Sequence, residues 1–151
     1  PATSTTNAEA TELAASLEDE LLNLPKSQIV AATYGLEPGK AHIIQLKDSL
    51  KPSPDAPSLE KCDMWLVHQR GIRSALNEAR EAETTTFVPD SVEAINYVRN
   101  SEYQLALLLR PLPMHLFEEV VGKGERLPPK STYFFPKLPT GLIFNRLEGI
   151  L

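Results

Sequence analysis

The chain has 151 residues, 42% of them hydrophobic and 23% charged, with a formal net charge of -5. That size suits a single globular domain that buries roughly 70% of its unfolded surface without help from disulfides or metal. The acidic balance argues against a general nucleic-acid or anionic-membrane binder, no apolar run nears the roughly 18 residues of a membrane span, and the one cysteine, Cys62, excludes an internal disulfide framework and points to a reducing, cytoplasmic compartment.

The start at Pro1 carries neither the basic region nor the apolar core of a signal peptide, which is expected of a processed chain or a piece of a larger one. Residues 1–6 read as a flexible polar tail. Thr6 with Glu9 forms a capping-box pattern. Ala10, Leu13, Ala14, Leu17, Leu21 and Leu24 then recur at helical spacing up to Pro25, with the acidic residues on the solvated face. Two strand-like runs, 28–34 and 41–47, flank the glycine-containing stretch 35–40 and predict a hairpin with a longer loop. Residues 48–58 form a Pro/Ser-rich connection.

Leu59, Cys62, Trp65 and Leu66 share a helical face with Ser58 as N-cap, and Gly71 should interrupt that helix, with a second one over 72–81. The β-branched run 84–88 predicts a short strand. After Pro89, Asp90 and Glu93 mark the start of a helix carrying Val92, Ile95 and Val98. The run 103–109 is nearly all apolar, as in a strand covered on both faces. Pro113 opens a helix whose buried stripe is Leu116, Phe117, Val120 and Val121, ended by Gly122 or Gly124. A final strand is expected over 142–147. The expected class is α+β: a small mixed or antiparallel sheet with several packed helices, in one domain spanning 1–151.

The most chemically suggestive segment is 128–141. Gly124, Pro129, Lys130 and Ser131 match the P-loop pattern except that Pro129 stands where the second glycine belongs. Proline has no N–H to offer a phosphate and cannot reach positive φ, so this is not a P-loop. In an extended segment Lys130, Thr132 and Phe134 would share one face, and Ser131, Tyr133 and Phe135 the other. Lys130, Ser131, Thr132 and Lys137 are therefore the candidate ligand-binding donors, for a phosphate or other anion. The alternative is that the prolines shape a structural crossing and the aromatics fill the core. Asp63 and His68 are a candidate cleft pair. No His or Cys recurs at metal-ligand spacing, so no metal site is expected. Cys62 reads as a small core residue. No acid, base or nucleophile constellation points to catalysis within the chain.

Residues 128–142, Pro-Pro-Lys-Ser-Thr-Tyr-Phe-Phe-Pro-Lys-Leu-Pro-Thr-Gly-Leu, resemble the C-terminal signature of a prokaryotic family named as domain of unknown function 1015. Asp63 to His68 resembles that family's Asp-Val-x-x-Leu-His helix, with Met64 and Val67 as departures. The stretches 90–98 and 107–111 resemble a further helix and an apolar strand ending in proline. Full-length members are more than twice as long, and their N-terminal part looks like the ParB/sulfiredoxin-type superfamily that includes an ADP-dependent free-serine kinase. The resemblance thus implies a C-terminal domain of a larger, kinase-like protein, with a nucleotide as cofactor of the whole and the N-terminal domain, or a second copy in a homodimer, as partner. Two functions follow: binding of an anionic small molecule, or a non-catalytic scaffold or dimerisation domain that packs on the N-terminal half.

Overall fold

The computed structural model describes residues 2–76 and 78–127. The first helix, α1 (Ala2–Asn23), meets no glycine or proline along its length and so runs from the second residue. Thr6 therefore lies inside the helix and is not its N-cap. Ala10, Ala14, Leu17 and Leu21 form its buried stripe, with Leu13 and Leu24 packed alongside.

Strands β1 (Val30–Glu37) and β2 (Lys40–Gln45) make the expected hairpin, with a tighter turn than anticipated. Glu37 pairs with Lys40, leaving only Pro38 and Gly39 in the turn, and the extra residues are absorbed by a bulge between Tyr34 and Glu37. Gly39 has φ +69, the conformation a Pro-Gly turn requires of its second residue. The third strand, β3 (Ala106–Leu108), pairs antiparallel with the other side of β1, giving the order β2-β1-β3. β1 is buried on both faces: Val30, Ala32 and Tyr34 join the core, and Ala31 and Thr33 are buried on the opposite side.

Helix α5 (Ser91–Arg99) closes that core with Ile95. Its start is as expected, with the Asp90 carboxylate accepting from the N–H groups of Val92 at 2.8 Å and Glu93 at 3.3 Å. α1 and α5 lie side by side, tied by Ser91 to Glu18, by Asn96 to Asn7 at 3.0 Å and by Arg99 to Glu9 at 2.5 Å.

The middle of the chain departs from expectation. A 3₁₀ turn, Ser58–Lys61, precedes one unbroken helical run made of α2 (Asp63–Leu66), a π-helical stretch (Val67–Ile72) and α3 (Arg73–Ala75). Gly71 sits inside the π stretch, which tolerates it, and the break falls after Ala75 instead, before α4 (Glu78–Thr84). Ser58 caps nothing; its hydroxyl accepts from the Lys123 ammonium at 3.1 Å. Residues 85–88 form no strand. Thr86 is held by a hydroxyl–hydroxyl bond to Tyr103 rather than by a ladder, a case of β-propensity without a partner strand.

Helix α6 (Met114–Gly122) packs against the Ser58–Lys61 turn. Val120 is its fully buried residue, Leu116 and Phe117 are half-buried, and Val121 is exposed, so the expected stripe is narrower by one position. Gly124, at φ +71, ends the helix: its N–H donates to Val121 and that of Glu125 to Val120, a Schellman closure. The fold is α+β, helices against a three-stranded antiparallel sheet. Among the described residues no helix is long and apolar enough to cross a membrane.

Candidate functional site

The half-buried π stretch, α4, α5, the strand β3 and the first turn of α6 surround an open groove of about 920 Å³. Its wall is mostly apolar. Four of its large side chains are also exposed: Leu22 (63%), Phe87 (47%), Leu105 (40%) and Met114 (62%). They come from four separate segments. Each would be an ordinary surface residue alone, but together they line one concavity, which is the arrangement that marks an interaction surface.

Among the polar groups on this wall, two sets are tied into ion pairs. The first is His68, Glu81 and Arg73. His68 Nε2 is hydrogen-bonded to Glu81 Oε1, and Arg73 Nε lies 3.4 Å from Glu81 Oε2. The π stretch helps place His68: a π turn shifts the helical register and redirects side chains, which is why such turns recur at functional sites. The hydrogen bond from His68, and then the charges of His68 and Arg73, hold the Glu81 carboxyl below the usual carboxylate range. A lowered folded-state value means the stabilisation is present above the ordinary Glu pKa of 4.5 and is lost as pH falls through the folded value. Glu81→Gln is therefore expected to melt below the wild-type temperature at pH 7, with the gap closing near pH 3. Thermal melts followed by circular dichroism would measure it, and a gap of equal size at both pH values would contradict the assignment.

The second is Arg110. Its guanidinium donates to Asp63 Oδ2 through Nε at 2.6 Å and Nη2 at 2.5 Å, to the Pro25 carbonyl at 3.3 Å, and to the Gln28 carbonyl. Burial pushes the Asp63 carboxyl up, and the hydrogen bond and charge of Arg110 oppose that rise.

The structure thus gives the two members of the expected cleft pair different partners: Asp63 bonds Arg110, and His68 bonds Glu81. His68 does line the groove. The candidate donors Lys130, Ser131, Thr132 and Lys137, and the strand expected over 142–147, lie outside the described residues. Cys62 is buried, and burial together with the Asp63 and Glu119 charges pushes its thiol up, which suits a core residue and not a nucleophile. His42 lies 3.6 Å from Glu37 on the hairpin, and His115 is exposed on α6. Among the described residues no group of three or more His, Cys, Asp or Glu is placed to hold a metal ion.

Sequence reading missed Arg110 and Glu81. Arg110 had a signal: a lone cation ending an apolar strand must either reach solvent or find a buried carboxylate. Glu81 had none, because thirteen residues separate it from His68 and no short-range period connects them. No family model matches the chain, and neither the curated proteins nor the solved structures contain a match to it.

Proposed function

We propose that this chain is a non-catalytic interaction domain of a larger protein, and that it packs polypeptide into the groove. The observation that carries this reading is the convergence of Leu22, Phe87, Leu105 and Met114 on one wall. The ion pairs support it too. Arg73 and Arg110, the guanidinium groups on the wall, are engaged by Glu81 and Asp63, so they act as fixed rims rather than as an anion trap. The resemblance to domain of unknown function 1015 belongs to the same proposal, because it supplies the larger protein. The anion-binding reading rests on Lys130, Ser131, Thr132 and Lys137.

A panel of fluorescent amphipathic peptides, leucine-rich with either lysine or glutamate, tests the docking reading by anisotropy. The lysine peptides are expected to bind, with at least a tenfold loss in Leu105→Asp, while circular dichroism shows that variant still folded. Binding that Leu105→Asp leaves unchanged would reject the groove as the docking surface. A melting temperature raised by phosphate or ADP, and no longer raised in Lys130→Ala, would favour the anion reading instead.

A further inference from the structure

We infer that the groove receives an extended segment of a separate polypeptide, which pairs along the free edge of β3 and carries apolar side chains alternating with basic ones. This inference rests on the docking reading above and specifies the partner's conformation and chemistry.

The order β2-β1-β3 gives β3 a neighbour on one side only among the described residues. Leu105, Ala106, Leu107, Leu108, Leu109 and Arg110, the strand and its flanks, all line the groove in succession. Successive side chains of a strand point to opposite faces. A cavity lying over one face would therefore meet every second residue. A cavity that meets each of them in turn runs along the edge that β1 leaves free.

That edge has hydrogen-bonding capacity to offer. Leu107 pairs with Thr33, flanked by Leu108 with Ala32 and Ala106 with Tyr34. In an antiparallel ladder alternate residues direct N–H and C=O toward the neighbour, and the others direct both away. One alternate set of main-chain groups along β3 thus faces away from β1. Among the described residues, no backbone hydrogen bond outside that ladder involves residues 105–110. Open edges are normally protected by charge, proline or a bulge. The run 105–109 is Leu-Ala-Leu-Leu-Leu, with neither charge nor proline. Such an edge is a template for an added strand, in which main-chain bonds give affinity and seats for alternate side chains give specificity.

The seats are apolar. Leu105 is exposed, Leu107 and Leu109 are half-buried at the same alternate positions, and Phe87 stands exposed on the same wall. Charge sets what stands between the apolar residues of the partner. Arg73 and Arg110 are matched by Glu81 and Asp63. Glu18 accepts from the Ser91 hydroxyl and Asp90 caps α5, with no cation among those bonds, and both line the groove. The wall is therefore acidic toward its occupant, and basic residues complement it. Leu22, Phe87, Leu105 and Met114 are exposed with all 151 residues of the chain present, so the occupant comes from another molecule. A second copy, at a net charge of -5, would meet this wall as like charge.

Fluorescent peptides titrated onto the full chain test this by anisotropy. A peptide of strictly alternating leucine and lysine is expected to bind at least tenfold more tightly than one of the same composition arranged at helical period. In an extended strand the leucine amides lie along one edge and the lysine amides along the other. N-methylation of one set should therefore cost at least tenfold in affinity, and of the other set much less. Hydrogen–deuterium exchange should show alternate amides within 105–109 gaining protection when the alternating peptide is added, with the β1 amides unchanged. Tighter binding of the helical-period peptide, equal effects of the two methylations, or no gain of protection in 105–109 overturns the inference. Protection of 105–109 that grows with the concentration of the chain alone assigns the edge to a second copy and overturns it as well.

The same titrations separate this failure from failure of the docking reading. If the helical-period peptide binds, Leu105→Asp weakens it and the alternating peptide does not bind, the edge pairing is rejected and the groove stands. If neither peptide binds, the docking reading falls and the inference with it.

Discussion

Arg110→Ala is expected to lower stability by about 3–5 kcal/mol, the loss typical when one partner of a buried ion pair is removed. Arg110 and Asp63 are only 12% and 15% exposed, so water replaces little of what the guanidinium supplied. The variant strands the Asp63 carboxylate and leaves the Pro25 and Gln28 carbonyls without that donor. For a chain of this length the midpoint should fall by roughly 10 °C or more. The pH dependence carries a sign. Burial already pushes the Asp63 carboxyl up, and Arg110 is the opposing influence. Without Arg110 the folded-state value climbs further above the unfolded one, so the variant loses stability as pH rises through it. The deficit should therefore be larger at pH 7 than at pH 4. Urea titrations at both pH values measure it. A loss below about 1 kcal/mol at pH 7 would mean that the pair is screened as a surface pair is.

Gly35→Ala is the second large effect. Gly35 has φ +99, which an L side chain rarely adopts, and an added Cβ would stand 2.5 Å from the Gln104 carbonyl oxygen and 2.8 Å from Val98 Cγ1. The backbone conformation costs about 1–3 kcal/mol and the overpacking about as much again. Gly39→Ala isolates the first of these, because Gly39 also has positive φ (+69) but nothing lies within 4 Å of its added Cβ. Gly35→Ala should therefore exceed Gly39→Ala by at least 1 kcal/mol in equilibrium unfolding. Equal losses would show that the loop carrying Gln104 moves aside freely.

Both effects arise where distant segments meet, and that is where sequence reading lost its grip. The α1 stripe, the hairpin, the Asp90 cap and the Gly124 terminus were legible because each is set by residues within one or two turns. The helix does not start at Thr6; a good capping box inside a longer helix looks like a start. The strand over 84–88 failed because β-branched residues need a neighbour to pair with, and Thr86 is bonded instead to Tyr103, seventeen residues later. Gly71 stopped no helix because a π turn absorbs it. Of the groove, His68 alone was anticipated. The four exposed apolar residues on its wall come from four separate segments, each of which looks like ordinary surface in a one-dimensional pattern.

The strand order β2-β1-β3 also sets the sequence of assembly. β1 meets β2 across a two-residue turn, whereas Thr33 meets Leu107 only after residues 34 to 106 have been folded out of the way. By the logarithmic cost of loop closure, that longer excursion adds about 3 kcal/mol relative to the hairpin. Closure entropy therefore favours the hairpin over the β1–β3 pairing as the earlier contact. The same logarithm makes the excursion forgiving. Doubling its length would add only about 0.6 kcal/mol, so the Pro/Ser-rich connection is the place where this architecture accepts new sequence at least cost.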